Sequence, residues 1–389
     1  MNANFPLKKQ TNWTSYDREM MSLALNLAEK GQYTARPNPM VGCVIVRTDK
    51  QQPEIVGQGW HQKSGLPHAE VNALSEAGDK ARGATCYVTL EPCAHYGKTG
   101  PCTQALIDAG VSKVIAAMHD PNPSVSGKGF KLLMDAGITV EYGLMEAQAR
   151  KLIRGFVSRF EKKRPWITCK LAMSLDGRTA LADGSSQWIT GSAARADVQK
   201  LRARQDAIIT GIGTVLADNP SLNVRAQSDE PTTDEDDWFY QACDIGFSQP
   251  ARILLDREKR AQVKAKIFND DAQVFWLSDN FAQIQKENHL TRLSGFESLS
   301  EMLKYFAEQQ GMNNLLLESG HQLAGEFLKQ QLIDELVVYV APKLMGNQAM
   351  GLFDLNINKM QITPELHLLD LRRIGDDIRL TYSFESNNS

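Results

Sequence analysis

The stretch Ala84-Thr-Cys-Tyr-Val-Thr-Leu-Glu-Pro-Cys93 decides how the first part of the chain is read. Apolar and β-branched residues over 85–90 predict a strand. It runs straight into Glu91-Pro92-Cys93, where proline ends ladder pairing and a thiol stands at the strand end. Upstream, Gly65-Leu-Pro67 leads into His68-Ala-Glu70 at the opening of a predicted helix over 68–77. Downstream, Gly100-Pro101 precedes Cys102 and a predicted helix over 103–109. Further out, helical apolar spacing over 16–30 ends at Gly31, and strands at 41–46 and 55–60 form a predicted hairpin. Strands at 113–118 and 138–142 flank a helix over 127–136. This alternation predicts an α/β unit, a mixed sheet covered by helices.

A charged amphipathic helix is predicted over 146–163, stopped by Pro165. A domain boundary is placed just before it, giving domains 1–150 and 151–389. The alternation then restarts, with strands at 166–173, 206–210, 252–255, 274–277, 315–318 and 335–341. Helices at 193–203, 214–217, 299–309 and 322–330 lie between them, and a hairpin around Gly375 closes a second α/β unit. Two domains suit a chain of 389 residues at ~100–200 residues per domain.

Hydrophobic residues at 42% and charged residues at 23% exclude a mainly disordered chain. The net charge is −3, split as +1 over residues 1–150 and −4 over the rest. Neither half has the basic excess that non-specific nucleic-acid binding draws on, so no nucleic-acid partner is expected. No apolar run approaches the ~18–20 residues of a membrane span, so no membrane association is expected. The first residues, Met1-Asn-Ala-Asn-Phe-Pro-Leu-Lys-Lys, lack an apolar core for secretion, and a cytoplasmic location is expected. A disulfide framework among six cysteines is then improbable. Cys43 and Cys86, in strand-like runs, read as core residues. The arginine-free, acid-rich stretch between Arg225 and Arg252 reads as a solvated loop.

His68, Cys93 and Cys102 supply one imidazole and two thiolates, a three-ligand set for tetrahedral zinc with one position open. Glu70, two residues after His68, points elsewhere on a helix and suits a general acid/base for attack on an amidine-like ring carbon. Each fragment alone carries little weight; their co-occurrence at element ends carries the reading. The zinc nucleobase-deaminase signature pairs His-x-Glu with Pro-Cys-x-x-Cys. Here eight residues separate Cys93 from Cys102, so its strict form is not met, and His95 in that loop is a rival ligand.

Taken together, Asn38-Pro-Met-Val-Gly42, His68-Ala-Glu70, Thr89-Leu-Glu-Pro-Cys93, the Cys93–Cys102 spacing and Asp120-Pro-Asn-Pro123 resemble the bifunctional riboflavin-biosynthesis deaminase/reductase family. The widened cysteine spacing agrees with that family. The resemblance implies an N-terminal cytidine-deaminase-like domain with Zn²⁺ on His68, Cys93 and Cys102, and Glu70 as proton shuttle. The implied substrate is a phosphorylated small molecule, a diaminopyrimidinone carrying ribosylamine 5′-phosphate. Asn38 would contact its ring, Lys98 and His61 its phosphoribosyl arm, and Asp120 and Asn122 would line the pocket. Without the resemblance, Lys98 is a solvated loop lysine.

No Gly-x-Gly-x-x-Gly follows a strand in the second half, so a Rossmann site has little support. Gly211-Ile-Gly213-Thr214 and Glu318-Ser-Gly320-His-Gln-Leu-Ala-Gly325 each offer a strand, a glycine turn and a helix start to a phosphate. Lys170-Leu-Ala-Met-Ser-Leu-Asp-Gly-Arg-Thr179, Ser186-Gln-Trp-Ile-Thr190 and Ala341-Pro-Lys-Leu-Met-Gly346 are similar to the reductase domain of the same family. That similarity implies a dihydrofolate-reductase-like α/β fold, NADPH as cofactor, and reduction of the ribosyl side chain to ribityl. By the same resemblance, Ala172, Trp188, Thr214, Asp218 and the turn of Gly320, His321, Gln322, Leu323, Ala324, Gly325 and Glu326 contact NADPH. Ser186, Arg202, Leu222, Arg225 and Glu318 contact substrate, the two arginines suiting its phosphate, and Lys170 orients the sugar.

Ser319, His321 and Arg257 depart from the family pattern. Read without the resemblance, Arg202 is a helix-surface charge and Trp188 a core aromatic. The family further implies a homo-oligomer, a dimer or larger. The competing reading is a nucleic-acid base deaminase whose second half is a non-catalytic binding or assembly module.

Overall fold

The computed structural model describes residues 9–48, 52–94, 100–225, 238–239, 241–242 and 246–384. They form two compact units, Met1–Lys162 and Lys163–Ser389. No helix among the described residues is long and apolar enough to cross a membrane.

The first unit is built on β1 (Gly42–Arg47), β2 (Glu54–Trp60), β3 (Thr85–Val88), β4 (Lys113–Ala116) and β5 (Thr139–Tyr142), in the order β2-β1-β3-β4-β5. The hairpin pairs β1 with β2 antiparallel, β1 also runs antiparallel to β3, and the β3-β4-β5 edge is parallel. Strand side chains alternate between two cores, as the pleat requires. Cys43, Ile45, Cys86, Val88, Val114 and Ala116 face α2 (Ala69–Ala77), α3 (Cys102–Ala109) and α4 (Lys128–Asp135). Val44, Val46, Tyr87 and Ile115 face α1 (Ser15–Glu29) and the two helices after β5. Cys43 and Cys86 are fully buried with their sulfurs 3.4 Å apart.

The predicted 146–163 helix is two helices, α5 (Glu146–Leu152) and α6 (Arg154–Glu161). They break at Ile153, whose backbone leaves helical geometry while its side chain stays buried. Ala149, Ile153 and Val157 pack in the core of the first unit. The units therefore divide between Lys162 and Lys163, where sequence alone puts the division near residue 150.

Helix α1 starts with a capping box between Thr14 and Asp17 and lies tightly on β1. A Cβ on Gly42 would stand 1.9 Å from the Ala24 carbonyl oxygen and 2.8 Å from the Ala28 nitrogen. Gly42→Ala must push helix and strand apart, and a loss of about 1–3 kcal/mol in urea unfolding is expected; unchanged stability would refute this contact.

The second unit carries a ten-stranded sheet. Its strands are β6 (Trp166–Ser174), β8 (Ala207–Gly211), β9 (Ala251–Leu255), β10 (Val274–Ser278), β11 (Gln285–Glu287), β12 (Leu290–Ser294), β13 (Asn314–Leu317), β14 (Glu335–Ala341), β16 (His367–Ile374) and β17 (Asp377–Ser383). The order is β11-β12-β10-β9-β8-β13-β6-β14-β17-β16, parallel from β12 to β14 and antiparallel at both ends. The short strands β7 (Arg178–Ala180) and β15 (Met350–Gly351) pair separately. Helices α7 (Ser192–Ala203), α8 (Ile212–Asp218), α9 (Leu299–Glu308) and α10 (His321–Lys329) cover the sheet. The chain leaves β6 toward β8, builds outward, then returns to insert β13 between β8 and β6. Strand order reverses there, and the carboxyl ends of such strands are where open α/β sheets hold ligands.

Candidate active sites

In the first unit, three segments distant in sequence meet at the carboxyl end of β3. His68 is the residue that precedes α2, Cys102 opens α3, and Cys93 sits on the loop leaving β3. His68 Nδ1 lies 3.2 Å from Cys102 Sγ and 3.6 Å from Cys93 Sγ, and the three ligand atoms all fall within 4.8 Å of one another. The Cys102 backbone N–H also donates to Cys93 Sγ at 3.3 Å. The Cys93 thiol is pulled down to about 4 by its hydrogen bonds, first with Cys102 and then with His68. Cys102 is pushed up by the same contact and by burial. A divalent cation satisfies all three donors at once, and this donor set fits a catalytic zinc site with one open position.

Glu70, in the first turn of α2, is 3% exposed beside this cluster, and burial pushes its carboxyl up to about 7. A group so placed can both take and return a proton near neutrality. Asn38 Nδ2 donates to His61 Nε2 at 3.0 Å, and His61 Nδ1 lies 3.3 Å from the Pro67 carbonyl. His61 is 2% exposed, with its ring edge-on to His68, and burial lowers its pKa. His61 thus links the Asn38 amide to the Pro67 carbonyl beside His68. Lys98 and the rival ligand His95 lie outside the described residues.

Asp120 and Asn122 occupy one tight turn. Asp120 Oδ1 accepts from the Asn122 N–H at 2.8 Å, and Asn122 Oδ1 accepts from the Ser124 N–H and hydroxyl. The turn is tied back to the cysteine loop by Glu91, whose carboxylate accepts backbone N–H groups of Asp120, Gly127, Gly129 and Phe130. Glu91 stands inside the Thr89–Cys93 motif, where no neighbour in sequence marks its partners. An acidic residue between a buried leucine and a proline at a strand end was the available signal.

In the second unit, Lys170, Arg202 and Glu318 converge from β6, α7 and the end of β13. Arg202 grips the Glu318 carboxylate with two bonds, 2.6 and 3.0 Å, and donates to the Asn223 carbonyl at 3.1 Å. Lys170 Nζ lies 3.9 Å from Glu318, and burial lowers its pKa. Arg202 is thus committed to Glu318 rather than lying on the helix surface. Leu222 is buried in the apolar core, Ser186 half-buried, and Arg225 exposed with its N–H on Gln199.

Gln187 donates to Asp218 Oδ1 at 3.0 Å, bringing the segment of Trp188 beside α8, the helix that carries Thr214. Trp188 is 64% exposed under the Arg195 guanidinium, so it is no core aromatic. A Cβ on Gly213 or Gly320 would meet nothing within 4 Å, so both glycine turns face open space. His321, Gln322, Leu323 and Glu326 retain exposure on α10 and Ala172 is half-buried, whereas Ala324 and Gly325 are buried. Gly325 packs against the Asp354 backbone. Exposed glycine turns at two helix starts, with an exposed indole nearby, fit a dinucleotide. Arg257 points to the surface, where it pairs with Asp279. Asp176, which the sequence reading passed over, ties Ser174 to the Met345 and Gly346 N–H groups.

The fold and these clusters define a two-part enzyme, a zinc deaminase unit followed by a reductase unit. Residues 14–118 match the cytidine and deoxycytidylate deaminase zinc-binding region, and residues 165–380 match the RibD C-terminal domain. The riboflavin biosynthesis protein RibD of Haemophilus influenzae is 46% identical over 384 residues, covering 95% of this chain and 98% of the relative. RibD of Escherichia coli is 44% identical, covering 94% and 98%. The solved structure of Acinetobacter baumannii RibD, 42% identical, superposes with a TM-score of 0.84 over 94% of this chain and 98% of its own. The chain belongs to the RibD family, the bifunctional deaminases and reductases of riboflavin biosynthesis.

Proposed function

We propose that residues 1–162 deaminate 2,5-diamino-6-ribosylamino-4(3H)-pyrimidinone 5′-phosphate and that residues 163–389 then reduce the ribosyl side chain of the product, 5-amino-6-(5-phosphoribosylamino)uracil. The observation that carries this reading is the meeting of His68, Cys93 and Cys102 beside the buried Glu70. A Thermotoga maritima structure, 30% identical with a TM-score of 0.80 and covering 94% of this chain and 98% of its own, is titled a diaminohydroxyphosphoribosylaminopyrimidine deaminase and 5-amino-6-(5-phosphoribosylamino)uracil reductase.

His68, Cys93 and Cys102 hold zinc, which when bound supplies a Lewis acid that lowers the pKa of water to about 7. Glu70 takes a proton from the attacking water and passes it to the ring nitrogen beside the attacked carbon. It then takes the proton of the added hydroxyl and delivers it to the departing amino group, so C–NH₂ and H₂O become C=O and NH₃. Asn38, steadied by His61, donates to the ring, and Asp120 and Asn122 wall the pocket. In the reductase unit, Gly211–Asp218, Trp188 and the turn after Glu318 receive NADPH, which supplies the hydride. Lys170 orients the sugar, and Glu318, fixed by Arg202, positions Lys170 and the side chain to be reduced.

The test is mass spectrometry of products from the diaminopyrimidinone with and without NADPH. Deaminated product alone without NADPH, and deaminated, reduced product with it, is the expected pair of results. Absence of any reaction in zinc-loaded protein overturns the substrate assignment.

The chain also works as a homodimer in this reading, in the cytoplasm. Strand β16 is a sheet edge, and Leu368, Leu371 and Ile378 are 53%, 61% and 41% exposed along the β16–β17 hairpin. An open edge with an apolar row suits pairing with a second copy. Leu371→Asp is expected to halve the mass measured by analytical ultracentrifugation; an unchanged mass removes this face as the interface.

A further inference from the structure

We propose that Glu91 is a positioning residue of the deaminase centre, holding the cysteine loop and the Asp120–Gly127 turn in one fixed relation through its carboxylate. The inference rests on the reading that Asp120 and Asn122 line the pyrimidine pocket. Glu91 lies two residues before Cys93, at the root of the loop that carries it. It is 3% exposed, with its side chain fully enclosed.

Both carboxylate oxygens are occupied. Oε2 accepts the Asp120 N–H at 3.2 Å and the Gly127 N–H at 3.0 Å, while Oε1 accepts Gly129 at 3.0 Å and Phe130 at 3.4 Å. His119 Nδ1 stands 3.4 Å from Oε2, with its ring edge-on to Phe130 and Tyr142. One acidic side chain therefore takes the place of a cap at the start of α4 and anchors both ends of the turn that carries Asp120 and Asn122. Hydrogen bonds to a charged acceptor are about twice as strong as neutral ones.

A second contact closes the same joint. The Glu91 N–H donates to the Met118 carbonyl at 3.0 Å, and Gly129 comes so close to Pro92 that a Cβ there would stand 2.1 Å from the Pro92 oxygen. A side chain at 129 collides with the Pro92 carbonyl unless the start of α4 and the turn before it move away from the cysteine loop. The turn itself is bound by short-range contacts within 120–126, which shape it but do not place it. Among the described residues, Glu91 and the Gly129 contact tie it to the cysteine loop.

The test compares zinc-loaded full-length parent, Glu91→Gln and Gly129→Ala. For each, kcat and KM for ammonia release, zinc per chain, and reductase turnover of the deaminated intermediate are measured. Glutamine keeps the shape but replaces one accepting oxygen by an NH₂ that opposes two N–H groups. A KM at least tenfold higher and a kcat/KM at least 30-fold lower are expected, with one zinc per chain and reductase turnover within twofold of the parent. Gly129→Ala, which removes no charge, is expected to show the same KM-weighted loss. If Glu91→Gln does not fold, Gly129→Ala alone decides. Deaminase constants within threefold of the parent overturn the proposal, and so does a loss that follows zinc content or falls only on kcat. A parent enzyme that releases no ammonia from the diaminopyrimidinone would instead refute the underlying substrate reading.

Discussion

Replacing Glu70 by glutamine is expected to slow ammonia release by ~10²–10⁴-fold, the range general acid–base catalysis supplies, while zinc content stays at one per chain. Glutamine has the same volume, and Glu70 is 3% exposed in the first turn of α2, so the swap leaves packing in place. It removes the proton transfer proposed for this side chain, since an amide neither accepts nor returns a proton near neutral pH. Burial has already pushed the carboxyl up to about 7, where giving and taking a proton are balanced. Reductase turnover of the deaminated intermediate should be unchanged, because Lys170, Arg202 and Glu318 belong to the other unit. Ammonia release within tenfold of the parent would remove Glu70 from the proton-transfer role.

The second large effect falls on the reductase unit. Glu318→Ala is expected to destabilise it by about 3–5 kcal/mol, the cost of leaving a buried charge without its partner. Arg202 has 11% of its side chain exposed and Lys170 20%, and Glu318 is the carboxylate that both approach. Removing it strands two cations side by side. Urea unfolding should show the loss in a transition belonging to this unit, and reduction of the deaminated intermediate should fall with it. Glu318→Gln keeps the shape and one good acceptor for Arg202, so it should recover part of the stability while reductase activity stays low. A change below 1 kcal/mol in Glu318→Ala would mean that solvent compensates Arg202, and that the ion pair is no structural anchor.

The His68–Cys93–Cys102 cluster was legible because each residue sits at an element boundary marked locally. Gly65-Leu-Pro67 precedes His68, Pro92 precedes Cys93, and Gly100-Pro101 precedes Cys102. The strands of the first unit were legible for a similar reason, since apolar residues concentrate in 41–46, 85–90 and 113–118. Strand β11, Gln285–Glu287, was not: it is fully exposed and carries no apolar alternation, existing only because β12 offers it an edge. The break at Ile153 was hidden because the apolar spacing runs on through it.

His61 shows where local reading fails. A histidine after Trp60 carries no mark of burial, and its enclosure beneath Asn38 and beside His68 comes from three segments folding together. Arg202 is similar: with Lys200 and Arg204 nearby it reads as a surface charge, yet its partner lies 116 residues away. Glu91 takes its N–H donors from 29 to 39 residues downstream. The sequence by itself determined the α/β character of both halves, the residues of the His68–Cys93–Cys102 cluster and the place of Glu70 at a helix start, because these depend on residue type and near neighbours. Only the tertiary structure decided which polar side chains are buried and which charges are paired, because desolvation and ion pairing depend on what the whole fold brings within a few ångströms.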